Sequence, residues 1–229
     1  MQTIAERLES ARAHIKDAST KAGRSANCVK LLAVSKKKPV SYITQAYACG
    51  QRLFGENYVQ EGIEKIHALA HLQDIEWHMI GPLQSNKTRL VAENFAWVHT
   101  IDRIKIAQRL SEQRPASLTP LNVCLQLNLD DEASKAGIDE PAIATLFEQV
   151  SALPNLVIRG FMAIPDPTKP DHERMATLAR LQQLFAQYRT SSANFDTLSV
   201  GMSGDLYEAI NYGSTMVRIG TAIFGERNN

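Results

Sequence analysis

The chain has 229 residues, 44% hydrophobic and 21% charged, which is a length for one large domain or two small ones and a globular composition. Twenty-five Lys and Arg against 24 Asp and Glu leave a formal charge of +1, so no global field recruits nucleic acid or an anionic membrane. No apolar run approaches the roughly 18 residues of a membrane-spanning helix. The first twelve residues carry Glu6 and Glu9 and no apolar core, unlike a secretory signal. Cys28, Cys49 and Cys124 have no metal-ligand spacing and cannot all pair, so reduced thiols in the cytoplasm are expected.

Ile4, Leu8, Ala11 and Ile15 recur at helical spacing and predict an amphipathic opening helix that Gly23 stops. Leu31 to Lys36 reads as a buried strand, Pro39 opens a helix through Tyr47, and RLFGEN at 52–57 is a second strand. A helix over 58–69, a strand over 75–81 (IEWHMIG), a helix over 86–94 and a strand over 96–101 (AWVHTI) follow. Asp102 is expected to cap a helix over 103–113. The fifth strand is 121–129, and Asp139 is expected to cap a helix running to Leu153 with Pro141 in its first turn. Then come a strand over 156–164, a long helix over 171–188, a strand over 197–202, a short helix over 204–212 and a last strand over 216–224. Strands alternating with helices, without a linker or low-complexity tract, predict an α/β fold: a single (β/α)8 TIM barrel with an extra N-terminal helix, one domain over residues 1–229. An open doubly wound sheet would carry a GxGxxG turn after strand one, where this chain has SKKKP.

Barrel sites sit at the carboxyl ends of the strands, and phosphate sites favour the loops after strands seven and eight. Lys36 closes strand one on the face shared by Leu32 and Val34. Burial and the charges of Lys37 and Lys38 would lower its pKa, as a Schiff-base lysine requires; the alternative is the first solvated residue of a basic loop. Gly201-Met202-Ser203-Gly204-Asp205 opens a helix and offers backbone N–H groups to a phosphate, unless Ser203 is simply the helix cap. Arg218 shares its strand face with Met216 and Gly220, and a buried guanidinium there demands an acceptor or anion nearby. Asn57, at the end of strand two, is either a donor to a ligand or a cap. His78 and His99 read as satisfied core residues, and Lys135 in the SKAG loop as a solvated lysine.

LLAVSK (31–36), FGENYVQE (54–61), WHMIGPLQSNK (77–87), SKAGI (134–138), GFMAIP (160–165), GMSGD (201–205) and MVRIGTAIFG (216–225) run in this order over nearly the whole chain and resemble the YggS/PROSC family. The resemblance implies a protein that binds pyridoxal 5′-phosphate (PLP) and is related to the barrel domain of bacterial alanine racemase. It implies PLP held as a Schiff base on Lys36, with its phosphate on Ser203, Gly204, Gly220 and Thr221. It places Arg218 near the pyridine nitrogen and matches Asn57 and Met79 to positions lining the cofactor. The implied role is PLP (vitamin B6) homeostasis as a cytoplasmic carrier or regulator, with apo PLP-enzymes as recipients.

No catalytic residue, metal or membrane contact is expected, and a monomer is. Arginine at the ring nitrogen makes a poor electron sink, and a chain used up by its barrel lacks the second domain from which related racemases draw a tyrosine base. Lys135, on a loop at the barrel mouth, is a candidate secondary amine for PLP transfer. The competing readings are a single-domain amino-acid racemase, with Tyr58, Tyr207, Tyr212 or His78 as second base, and a Schiff-base aldolase acting on a phosphorylated sugar.

Overall fold

The computed structural model describes residues 2–130, 136–190 and 192–226, so Ser134 and Lys135 lie outside the described residues. Thr3 and Glu6 form a capping box, each side chain bonding the other's backbone N–H, and start helix α1 (Ile4–Lys21). Its buried stripe of Ile4, Leu8, Ala11, Ile15 and Ala18 packs on the neighbouring helices.

Eight parallel strands close into a barrel: β1 (Lys30–Val34), β2 (Leu53–Glu56), β3 (Glu76–Met79), β4 (Trp97–Ile101), β5 (Leu121–Leu127), β6 (Leu156–Ala163), β7 (Thr197–Ser199) and β8 (Met216–Ile219), which returns to β1. Around it run α2 (Val40–Ala48), α3 (Val59–Ala68), α4 (Thr88–Asn94), α5 (Ile104–Gln113), α6 (Ile143–Ser151), α7 (Asp171–Arg189), α8 (Leu206–Asn211) and α9 (Thr221–Phe224). The (β/α)8 expectation holds, with α1 as the extra helix packed against α2, α8 and α9.

Strand alternation divides the core in two. Outward-facing strand residues such as Ala33, Phe54, Val98 and Phe161 join the helices in one large apolar layer. Inward-facing residues form two small groups, Leu32 with Ile80 and Met216, and Trp97 with Cys124 and Met162. Burial on both faces is why these strands read as near-continuous apolar runs.

Several element ends differ from expectation. Strand eight stops at Ile219, because Gly220 bends the chain and becomes the N-cap of the one-turn helix α9. Strand seven has three residues rather than six. Asp102 does not cap α5; Arg103 takes the cap position and Asp102 pairs with its guanidinium. Asp139 precedes a 3-10 turn over Glu140–Ala142 without a side-chain cap bond, and α6 begins only at Ile143. Asp205, not Ser203, is the N-cap of α8, and its Oδ1 accepts the Met202 N–H at 2.6 Å.

Phe195, 1% exposed, touches the rings of Phe147, Phe161, Phe185 and Tyr188, with centroids 4.9 to 6.1 Å apart. Phe195→Ala would open a cavity among rings that cannot collapse onto one another. The expected loss is about 3–5 kcal/mol, read from the shift of the urea midpoint at constant m-value.

Candidate cofactor site

The end of β1 is fixed from outside the barrel. Ser35 points outward and donates its hydroxyl to Glu56 Oε1 at 2.6 Å. Lys65, on α3, donates to the Ser35 carbonyl at 2.7 Å, to Glu56 Oε1 at 2.8 Å and to Glu61 Oε1 at 2.6 Å. The Lys37 N–H donates to the same Glu61 oxygen at 2.5 Å, and Lys37 sits at φ 58°, a left-handed conformation rare for a side-chain residue. Backbone on both sides of Lys36 is therefore clamped, and alternation from outward Ser35 turns Lys36 inward, where it is half-buried. Burial pushes the Glu56 carboxyl up, against the Lys65 ammonium that pulls it down.

The two loops expected to hold phosphate lie at this end of the barrel. Ala33 is beside Ile219 in the register, and a Cβ added at Gly220 would sit 3.1 Å from the Val34 carbonyl oxygen, so a side chain there would crowd β1. Thr221 is exposed at the start of α9, a single turn in which the Ile223 and Phe224 N–H groups already donate to the Gly220 carbonyl at 2.9 Å. Ser203 and Gly204 are also exposed, with nothing within 4 Å of a Cβ built on Gly204. Their N–H groups donate to no acceptor among the described residues. At Gly201, φ is 103° and a Cβ would meet Ala209 at 2.6 Å, which fixes glycine at the turn out of β7.

Arg218 points into the barrel, 5% exposed. It donates from Nη1 to the Ser199 carbonyl at 2.6 Å and Ser199 Oγ at 2.9 Å, and from Nη2 to the Ala163 carbonyl at 2.9 Å. The acceptors that burial demanded are present, and all are neutral. Burial pushes the guanidinium down to about 10, and Asp205 partly restores it. Below it the interior is polar: His99 Nδ1 lies 3.0 Å from Ser199 Oγ, His99 Nε2 lies 2.9 Å from His78 Nδ1, and His78 Nε2 lies 3.0 Å from Glu76 Oε1. Both histidines are fully buried and satisfied, as expected, and burial holds both below the ordinary histidine value, His99 furthest. Burial likewise pushes the inward Cys124 thiol well up.

A cavity of about 270 Å³ opens at the carboxyl ends of β2 to β6, lined by Asn57, Ile80, Thr100, Gln126, Asp130 and Ala163 among others, while Lys36, Arg218, Ser203, Gly204, Gly220 and Thr221 lie outside its lining. Asn57 Oδ1 is buried there without a partner. Met79 goes elsewhere: it is fully buried in the outer layer, in register with outward Glu56, and its neighbour Ile80 lines the cavity instead. The structure thus gathers Lys36, Arg218, Gly220, Thr221, Ser203 and Gly204 along β1, β8 and β7, sets Asn57 in the cavity wall and does not bring the Met79 side chain to it. The candidate second bases disperse: Tyr207 donates to Asp17 on α1, Tyr212 packs against the outer layer, Tyr58 is half-exposed under Lys37, and His78 lies deep in the barrel.

Sequence reasoning missed the Glu56–Lys65 clamp and the linkage of the histidines. Alternation along FGEN would have turned Glu56 towards the helix that carries Lys65, but nothing in the sequence announces which of its lysines reaches back.

Residues 7–228 match the alanine racemase N-terminal domain family. A pyridoxal phosphate homeostasis protein of Vibrio cholerae is 54% identical over 231 residues, covering 100% of this chain and 98% of that protein. PipY of Synechococcus elongatus, solved with PLP bound, is 37% identical with a TM-score of 0.84, covering 97% of this chain and 100% of that one. Alanine racemase of Corynebacterium glutamicum, 18% identical with a TM-score of 0.68, shares the fold over 62% of its own chain. The chain belongs to the alanine racemase N-terminal domain family and, within it, to the YggS/PROSC group whose motifs it carries.

Lys65→Met leaves Glu56 buried without its cation. At neutral pH this is expected to cost about 3–5 kcal/mol in urea unfolding. Without Lys65 the folded-state pKa of Glu56 lies still further above its unfolded value, so the lost stability returns as the pH falls towards the ordinary carboxylate range. A deficit independent of pH between 7 and 4 would contradict the clamp.

Proposed function

We propose that this chain is a single PLP-binding barrel over residues 1–229 that serves PLP homeostasis in the cytoplasm and does not turn over amino acids. What carries the reading is Arg218: a permanently charged donor inside the barrel, anchored by neutral oxygens, at the end where Lys36 and two N–H-bearing loops converge. The residues present fit the cofactor. Asn57 offers an orphan polar oxygen to a ligand in the cavity, and Gly204 and Gly220 keep two backbone turns open to an anion.

When bound, PLP supplies an aldehyde that reacts with amines and a ring that accepts electrons more readily when its nitrogen is protonated. Lys36 is the amine held in place to carry it, since its flanking carbonyl and N–H are fixed by Lys65 and Glu61. Ser203, Gly204, Gly220 and Thr221 would hold the phosphate, and Asn57 would border the ring. Arg218 has no proton to accept and only N–H groups to give, so it favours an unprotonated ring nitrogen and a weak electron sink. No tyrosine named as a second base stands at the cavity. The names of the relatives and the PLP in PipY support the cofactor. The three free cysteines agree with a reducing compartment.

Borohydride reduction of protein incubated with PLP, followed by peptide mapping, is expected to show a pyridoxyl adduct on the peptide carrying Lys36 and none there in Lys36→Ala. Deuterium wash-in at Cα of alanine is expected not to exceed that of free PLP in buffer. Rapid wash-in at both enantiomers would overturn the non-catalytic reading and leave the cofactor assignment standing.

A further inference from the structure

The polar groups inside the barrel form one chain from Arg218 to Glu76, and its two ends fix the direction of every bond in it. Arginine only donates, so Ser199 Oγ accepts from Arg218 at 2.9 Å and keeps its own proton for His99 Nδ1 at 3.0 Å. His99 then carries its proton on Nε2 and donates to His78 Nδ1 at 2.9 Å. His78 in turn carries its proton on Nε2 and donates to Glu76 Oε1 at 3.0 Å. The reverse arrangement fails at both ends. It would leave the Ser199 proton unpaired in the core and face the unprotonated His78 Nε2 against a carboxylate. A cationic histidine is disfavoured by complete burial. At the far end burial pushes the Glu76 carboxyl up, but the hydrogen bond from His78, with further help from Trp97 and Lys30, outweighs it and holds the carboxyl below its ordinary value. Glu76 is 39% exposed, at the start of β3 and thus at the end of the barrel opposite the candidate site.

We propose that Glu76 is a positioning residue for Arg218, acting through Ser199, His99 and His78 as a one-directional hydrogen-bond chain that links the amino-terminal end of the barrel to the charge facing the cofactor ring. Such chains polarise each successive bond. The carboxylate strengthens each acceptor above it in turn, and the Arg218 charge is balanced by an anion it never touches. The effect on the ring rests on the PLP reading given above; the direction of the chain does not.

Two measurements separate these. Long-range 1H–15N spectra of histidine-labelled protein without added PLP are expected to show His78 and His99 as neutral Nε2–H tautomers, assigned with His78→Gln and His99→Gln. An Nδ1–H tautomer or an imidazolium at either position would overturn the chain. Glu76→Gln keeps an acceptor for His78 but removes the charge. In protein loaded with PLP it is expected to shift the absorption maximum of the bound cofactor without lowering its occupancy. In a Ser199→Ala background, where the chain is cut, the same substitution is expected to produce no shift. An identical spectrum for wild type and Glu76→Gln, or an equal shift in both backgrounds, would overturn the coupling. Failure of the wild-type protein to bind PLP would instead remove the cofactor reading, while the tautomers still decide the chain.

Discussion

Pleating gives each residue of a closed parallel barrel two directions, towards the axis or towards the helices, and this constraint organises everything else in the molecule. Along β1 it sends Leu32 and Val34 inward with Lys36 beyond them, and Ala33 and Ser35 outward. Along β3 it sends Glu76, His78 and Ile80 to the axis and Met79 to the helices. The protein can therefore run an apolar, load-carrying layer outside the barrel and a polar thread inside it, within one residue of each other in sequence. A slip of one residue in any strand would exchange the two.

Much of this could be read from the sequence, because it depends on local pattern. Alternation around Lys36 and Arg218 gives their direction, and glycines after β7 and β8 mark turns that admit no Cβ or crowd one. What could not be read depends on distances between elements. Met79 belongs to one of the stretches that carry the family resemblance, yet a motif says nothing of which face a strand residue presents, and register with Glu56 decides it. Strand eight ends early because Gly220 bends the chain, whereas the apolar run through Phe224 reads equally well as strand or as buried helix. The partnership of Ser35, Glu56 and Lys65 joins three elements, and only the folded chain reveals it.

The clamp and the candidate site stand back to back. Lys65 and Glu56 hold the wall from the helix side, and Lys36 stands on the other face of the same strand end. Ordering of the lysine's backbone is thus completed when the chain folds, so a ligand arriving at the mouth meets a wall already set. An ion pair buried this deeply adds little net stability compared with apolar packing. Its value lies in fixing one backbone atom on either side of one particular residue.

Cys124 shares the barrel interior with Trp97 and Met162, fully buried. A thiol reacts with electrophiles as its anion, and here burial keeps the proton on sulfur across the whole physiological range. Cys124 stands outside the lining of the cavity, so a ligand there is kept from the thiol by enclosure as well as by the retained proton. A reactive carbonyl held in the cavity would thus find no competing sulfur among the described residues that line it.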